Sequence, residues 1–244
     1  LDETALAAES TPPVTIIAPA YNEEEDIFDS VRGYLQLEYP HLQVIVVNDD
    51  SSDDTLRLLE QRFSLQPMNV VVHERIKTRA IRGIYESRVD PRLIVVDKMR
   101  GGKADALNAG LNLCRTPLVC CVDSDSILER SGMLRLVEPI VHDDRNTIAV
   151  GGTIRLANGC TIDDGVVQSY GMPDNWLARF QAVEYLRAFL YGRMGLNRPG
   201  GNLIVSGAFG LFVREAIVEI GGYKRDTVGE DMELAVRLHA DMRS

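Results

Sequence analysis

The strongest constraint on this chain is where its polar clusters fall relative to its apolar runs. Val14–Ala18, Val44–Val47, Leu93–Val96 and Leu118–Val122 are short, continuous apolar stretches. Runs of that length read as strands buried on both faces, the habit of a parallel sheet. Helical stretches lie between them. Glu23–Leu35 has an acidic first turn that suits the helix dipole. Asp53 can cap a helix through Leu56, Leu59 and Phe63, and Ala104–Leu113 is rich in Ala and Leu. Val70–Val72 is expected to add a further strand. Strands alternating with helices imply an α/β fold, a mostly parallel sheet wrapped by helices. Ligands bind such sheets at the carboxyl ends of the strands. Three polar clusters fall at those ends: Tyr21-Asn22-Glu23, Asp49-Asp50 and Asp123-Ser124-Asp125.

The second half is less regular. Val150–Leu156 is expected to form a strand and Ile127–Val137 a helix. Trp176–Arg193 is expected to form an amphipathic helix, with Phe180, Val183, Leu186 and Leu190 on one face. Trp176 reads as a core or interface aromatic rather than a sugar platform. Leu203–Val213 is apolar and interrupted by glycine, and Gly229-Glu230-Asp231 opens a helix through Leu234, Val236 and Leu238. No internal repeat or low-complexity stretch is present. The expected division is a lead-in over residues 1–13 and a single domain over 14–244. Within that domain, residues 14–126 form a nucleotide-sugar half and 127–244 an acceptor-side half.

The 244 residues carry a formal net charge of -10, and the sequence pI is about 4.9. An acidic chain of this kind argues against nucleic-acid binding, which normally shows a basic face. It leaves room for a diphosphate held by a cation and a few local donors. Cys114, Cys120, Cys121 and Cys160 form no CxxC pair, and no histidine stands near them at zinc-finger spacing. Cys120 and Cys121 lie in an apolar run and read as buried free thiols of a reducing compartment. No signal peptide is apparent, and no apolar run approaches the roughly 20 residues of a membrane span. His41, His73, His142 and His239 are scattered, and Ser206-Gly207-Ala208 lacks the nucleophile elbow of a serine hydrolase.

Each polar cluster has two readings. Asp123 and Asp125 can project to the same side of a strand end and bind a hard divalent cation together with substrate phosphates. By themselves they read more readily as turn and N-cap aspartates. Asp49 and Asp50 can hydrogen-bond a base or ribose, or simply supply turn chemistry in Asn48-Asp49-Asp50-Ser51-Ser52. Gly101-Gly102-Lys103 precedes a helix, where backbone and charge favour an anion; the alternative is a loop with an exposed lysine. Glu230-Asp231 at a helix start offers either a general base or a carboxylate favoured by the helix dipole.

The order of these motifs carries more than any one of them. Ala18-Pro19-Ala20-Tyr21-Asn22-Glu23 comes first, then Val47-Asn48-Asp49-Asp50-Ser51-Ser52-Asp53-Asp54-Thr55. Gly101-Gly102-Lys103-Ala104-Asp105-Ala106-Leu107-Asn108, Val122-Asp123-Ser124-Asp125 and Gly229-Glu230-Asp231 follow. The series resembles the family 2 glycosyltransferases of GT-A fold, above all the membrane polysaccharide synthases for poly-N-acetylglucosamine, hyaluronan and cellulose. Ser206–Gly210 and Gly221-Gly222-Tyr223 look like the same group.

The resemblance implies that Ala20, Tyr21, Glu23 and Asp49 line a uridine pocket and that Lys103 lies close to the diphosphate. It implies that Asp123 touches ribose or metal, that Asp125 is the main ligand of Mg²⁺ or Mn²⁺, and that Asp231 is the catalytic base. The family's TED motif reads Gly229-Glu230-Asp231 here, so a threonine hydroxyl is missing, and Asp50 stands where the family usually has glycine. A Q/RxxRW motif and membrane helices, which processive members carry after TED, do not appear in these residues. The expectation is an excerpt of a longer protein at the cytosolic face of the membrane, joined to it by segments outside this sequence. Its implied activity is inverting transfer of a hexose or N-acetylhexosamine from a UDP-sugar donor to a carbohydrate acceptor. The alternatives are a non-processive transferase acting on lipid or protein, a catalytically silent nucleotide-sugar-binding module, and a nucleotidyltransferase.

Overall fold

The computed structural model of the protein describes residues 11–142, 147–152, 159–163, 166–169, 171, 175–186, 209–227 and 229–241. Its centre is a mixed eight-stranded sheet in the order β3-β4-β5-β2-β1-β6-β10-β7. Four apolar runs form the middle: β1 (Val14–Ala20), β2 (Leu42–Asp49), β5 (Leu93–Lys98) and β6 (Leu118–Val122). These four pair in parallel, with Ile17 opposite Ile45 and Cys121, and Val46 opposite Val95. Antiparallel neighbours close the sheet on both sides. β4 (Ile81–Ser87) lies against β5 with β3 (Leu65–Pro67) outside it, and β10 (Phe209–Val213) lies against β6 with β7 (Ala149–Gly151) outside it. A small hairpin of β8 (Thr161–Asp163) and β9 (Val166–Ser169) is separate.

Alternation along the strands divides the core in two. Ile16, Ala18, Val44, Val46 and Val95 pack on one face with Ile27, Val31 and Tyr34 of α1 (Ile27–Leu35), Leu59 and Phe63 of α2 (Thr55–Phe63), and Met133 and Val137 of α4 (Gly132–His142). Ile17, Ile45, Val47, Val96 and Cys121 pack on the other. There they meet Leu107 and Leu111 of α3 (Lys103–Leu113), Ile217 of α6 (Arg214–Glu219), and Leu234 and Leu238 of α7 (Glu230–Asp241). Each fully buried aliphatic side chain contributes about 1.5–3 kcal/mol by leaving water. Both faces are therefore strongly held, and the strand ends are left to carry the polar chemistry.

The structure corrects several expectations. Val70–Val72 is not a strand: Val71 is 75% exposed and the segment pairs into no ladder. High strand propensity does not suffice without a partner ladder. Its place is taken by β4, whose mixed sequence Ile-Arg-Gly-Ile-Tyr-Glu-Ser hides the strand. The helix expected at Ile127–Val137 begins at Gly132, after a turn in which Gly132 N–H donates to Glu129 O. Helix α1 starts at Ile27 rather than Glu23, because residues 23–26 turn first, with Ile27 N–H bonded to Glu23 O.

Helix α5 covers Trp176–Leu186, and residues 187–193 lie outside the described residues. Its Trp176, Phe180 and Val183 are exposed, so the reading of Trp176 as a core aromatic is not upheld. The strand expected at Val150–Leu156 is Ala149–Gly151, with residues 153–156 outside the described set, as are 203–208 ahead of β10. In the lead-in, Thr11 is buried and Tyr39 donates to Pro12 O. Among the described residues no helix is long and apolar enough to cross a membrane.

Candidate active site

The chain leaves β1 for β2 on one side and later fills β6 on its other side, so the strand order reverses at β1. A crevice opens at the carboxyl ends of strands around such a point. Here it is a cleft of about 380 Å³ lined by Pro19, Ala20, Tyr21, Glu23, Asp49, Arg100, Lys103, Asp123, Ser124 and Asp125. Every nucleotide-sugar and metal residue expected from the sequence is therefore in one place.

The loop after β1 is latched to the loop after β2. Asn22, at φ 56°, accepts from Ser52 N–H at 2.8 Å, and its own N–H donates to Ser51 Oγ at 3.0 Å. Glu23 N–H donates to Thr55 Oγ1 at 2.8 Å, and Thr55 N–H donates to Asp53 Oδ1 at 3.0 Å. These bonds aim Glu23 at the cleft, where Ser124 hydrogen-bonds its carboxyl. Burial raises the Glu23 pKa, and the charges of Asp125, Asp26 and Asp53 add to that against the Ser124 bond.

Asp49 is buried, and both its oxygens are engaged from within. Oδ1 accepts from Lys98 Nζ at 2.7 Å and Gly101 N–H at 2.9 Å, and Oδ2 accepts from Gly102 N–H at 2.7 Å. It thus holds the glycine loop that presents Lys103. Lys98 is fully buried and also pairs with Asp105 at 2.7 Å. Asp50 adopts φ 65°, the left-handed region that glycine favours, which accounts for the residue the family usually has there. Its carboxylate pairs with Arg82, which lowers its pKa and also binds Asp97.

At the end of β6, Asp123 and Asp125 point to the cleft while Ser124 between them is buried. The turn is pinned from below: the buried Tyr34 of α1 donates to Asp123 O at 2.9 Å. Lys103 Nζ lies 2.6 Å from Asp123 Oδ1 and 3.4 Å from Glu230 Oε1. Its partial burial works against the charge, but the Asp123 bond and the charges of Asp123, Asp231 and Glu230 outweigh it, so its pKa is raised. Asp231 is thereby brought within electrostatic reach of Lys103, on the first turn of α7. Gly229 just before it has φ 90°, so the threonine of the usual motif would be strained on this backbone.

The site suits a hard divalent cation that borrows ligands from its substrate. Among the described residues no group of three or more acidic, histidine or cysteine side chains forms a closed cation cage. What the cleft offers is an exposed Asp125 and a partly exposed Asp123 paired with Lys103, and Mg²⁺-like ions are commonly held by one or two carboxylates plus phosphate oxygens.

Sequence reasoning missed Arg100, whose guanidinium stacks 3.0 Å from the Tyr21 ring centroid at the cleft mouth. It also missed Lys98 and Tyr34. A lysine closing an apolar strand was the only available signal for Lys98; a tyrosine on the apolar face of a helix carries none.

The cleft thus lies at the switch point of a doubly wound α/β sheet and holds an acidic pair beside a lysine loop, an arrangement suited to a phosphorylated ligand. The sequence profile of glycosyl transferase family 2 matches residues 15–221. The chain belongs to that family. It is 27% identical over 227 residues to poly-beta-1,6-N-acetyl-D-glucosamine synthase of Staphylococcus aureus (strain COL), covering 93% of this chain and 45% of that protein. It thus spans about half the length of such curated relatives. The fold is similar to that of the mannosyltransferase PcManGT from Pyrobaculum calidifontis, solved with GDP-Man and Mn²⁺ (TM-score 0.63, 21% identity, 94% of this chain and 52% of that one). It is also similar to S. aureus TarS 1-349, solved with UDP-GlcNAc (TM-score 0.55, 15% identity, 93% and 53%).

Proposed function

We propose that the chain is the catalytic part of a polysaccharide synthase that transfers a hexose or N-acetylhexosamine, with inversion, from a UDP-sugar to a sugar hydroxyl. The observation that carries this reading is that Asp123, Asp125 and Lys103 line one cleft, with Glu230 3.4 Å from Lys103 and the charge of Asp231 felt there. Ala20, Tyr21 and Glu23 line the end that receives uridine, with Asp49 holding the loop beneath it. Lys103 leaves its carboxylate partners for the diphosphate. Asp231 takes the proton of the acceptor hydroxyl, which attacks the anomeric carbon from the face opposite the leaving UDP. Asp125 and Asp123 would hold Mg²⁺ or Mn²⁺, which would supply charge neutralisation for that leaving group. The name of the S. aureus relative supports an N-acetylglucosamine donor and a polymer product. Membrane attachment at the cytosolic face would be made by segments outside this sequence.

Calorimetric titration of UDP with and without Mn²⁺ tests the reading. Metal-dependent binding that disappears in Asp125→Ala is expected. No gain from Mn²⁺ in the folded wild type, or undiminished binding in Asp125→Ala, would sink it.

A further inference from the structure

Asp105, Asn108 and Asn112 follow one another on α3 at spacings of three and four residues, so they share one helix face. That face is inside the protein, with exposures of 0%, 2% and 9%. Buried polar groups are tolerated when their hydrogen bonds are made, and each of these grips another segment. Asn112 accepts from Arg75 N–H and Ile76 N–H, both at 3.1 Å, and donates to Ile76 O at 2.8 Å. Asp105 accepts from Arg79 N–H at 3.0 Å and pairs with Arg225 at 2.9 Å. Asn108 clamps Tyr223 by both backbone groups, donating to its O and accepting from its N–H at 2.8 Å each.

The Gly222-Tyr223 backbone is a junction. From α7, Arg237 donates to Gly222 O at 2.6 Å and Ile220 O at 2.7 Å. Towards β6, the Tyr223 hydroxyl lies 3.2 Å from Cys121 Sγ, two residues before Asp123. Gly222 has φ 74°, and a Cβ there would overlap Asn108 Oδ1 and sit 2.6 Å from Ile76 Cδ1. The helix that carries Lys103, the strand that leads to Asp123 and the helix that carries Asp231 therefore meet at this one point.

We propose that Asn108 and Arg225 are positioning residues that set the separation between Asp231 and the donor-side groups Lys103 and Asp123. The proposal rests on the reading of Asp231 as the acceptor base. Neither residue is among those lining the cleft, and Lys98 still holds both Asp105 and Asp49 when Arg225 is lost, so loosening either one is expected to shift α7 more than the donor subsite. A misplacement of about 1 Å at a reacting group costs on the order of 100-fold in rate.

The test uses the full-length protein with Asn108→Ala, Arg225→Met and Arg225→Lys, measuring kcat for transfer, donor KM, UDP affinity with Mn²⁺, and Tm. Transfer should fall about 10- to 100-fold in Asn108→Ala and Arg225→Met while UDP affinity stays within about twofold. Arg225→Lys, which keeps a cation for Asp105, should recover most of the loss. Parallel loss of kcat and UDP affinity, or unchanged kcat, overturns the proposal. Should Asn108→Ala fail to fold, Arg225→Met decides by the same criteria, since its side chain is half exposed. Full transfer by Asp231→Asn would remove the base reading itself. Intact transfer in the Asn108 and Arg225 variants beside a dead Asp231→Asn would remove the positioning proposal alone.

Discussion

Asp49 and Asp123 close the strands that flank β1 on either side, yet their carboxylates do opposite work. Asp49 is saturated by a buried ammonium and two backbone N–H groups, so it shapes the lysine loop. Asp123 is partly exposed, and its partner is the partly exposed Lys103, a cation that metal and diphosphate would replace on the proposed reading. The difference lies in what each carboxylate faces. A buried carboxylate with fixed donors becomes structural, because removing its partners strands a charge in a low-dielectric interior. One at an open cleft whose partner is a partly exposed lysine remains accessible to a ligand.

The comparison can be pressed at four points. The largest effect belongs to the open side: Asp231→Asn in the full-length protein should lower transfer by about 10³- to 10⁴-fold while leaving UDP affinity within about twofold. Steady-state kinetics beside calorimetry measures both, and equal loss of both would remove Asp231 as the base.

The closed side should answer in stability. Lys98→Met leaves Asp49 and Asp105 without their buried counter-ion and should cost about 3–5 kcal/mol in urea unfolding. The Asp105 carboxyl is held below its usual range: burial opposes its charge, but Lys98, the Arg79 N–H and Arg225 outweigh it. A depressed folded pKa contributes stability above the unfolded pKa and loses it as pH falls through the folded one. The deficit of Lys98→Met should therefore narrow as pH falls from neutral into the acid range, because an Asp105 buried without Lys98 protonates more readily than the paired one. A deficit independent of pH would mean that lost packing, not charge, is responsible.

Asp125→Ala should weaken metal-dependent UDP binding by at least about 10- to 100-fold, the cost usual for losing a group that merely supports a ligand, with Tm close to wild type. A large fall in Tm would move Asp125 to the structural side of the comparison. The smallest effect is expected at Asp50→Gly, which relieves a left-handed aspartate and gives up an exposed ion pair to Arg82. Differential scanning calorimetry should place its Tm within about 3 °C of wild type. A larger loss would show that the Arg82 network governs the donor loop.

Much of this was legible in the residues. The four central strands announce themselves as apolar runs, because a strand buried on both faces has no freedom to be polar. The polar clusters were legible at strand ends, which are adjacent by geometry in a parallel sheet, but Ala20, Tyr21, Glu23, Asp49, Lys103, Asp123 and Asp125 were joined into one pocket by the resemblance of the ordered motifs, and all seven line the cleft. Strand β4 was invisible because its register comes from pairing with β5, not from its own pattern. The buried stripe Asp105-Asn108-Asn112 would have been read as a solvated face, since composition cannot distinguish a polar group facing water from one facing a backbone.

Local periodicity and end signals thus decide which elements form and which residues stand at their tips. Those are short-range properties, carried by neighbours in the chain. The roles of the tips depend on partners far away in sequence: Lys98 for Asp49, Tyr34 for the Asp123 turn, Asn108 for the segment before Asp231. Burial and long-range hydrogen bonding exist only after the sheet has closed, and they turn one of two similar carboxylates into scaffold and leave the other open to a ligand.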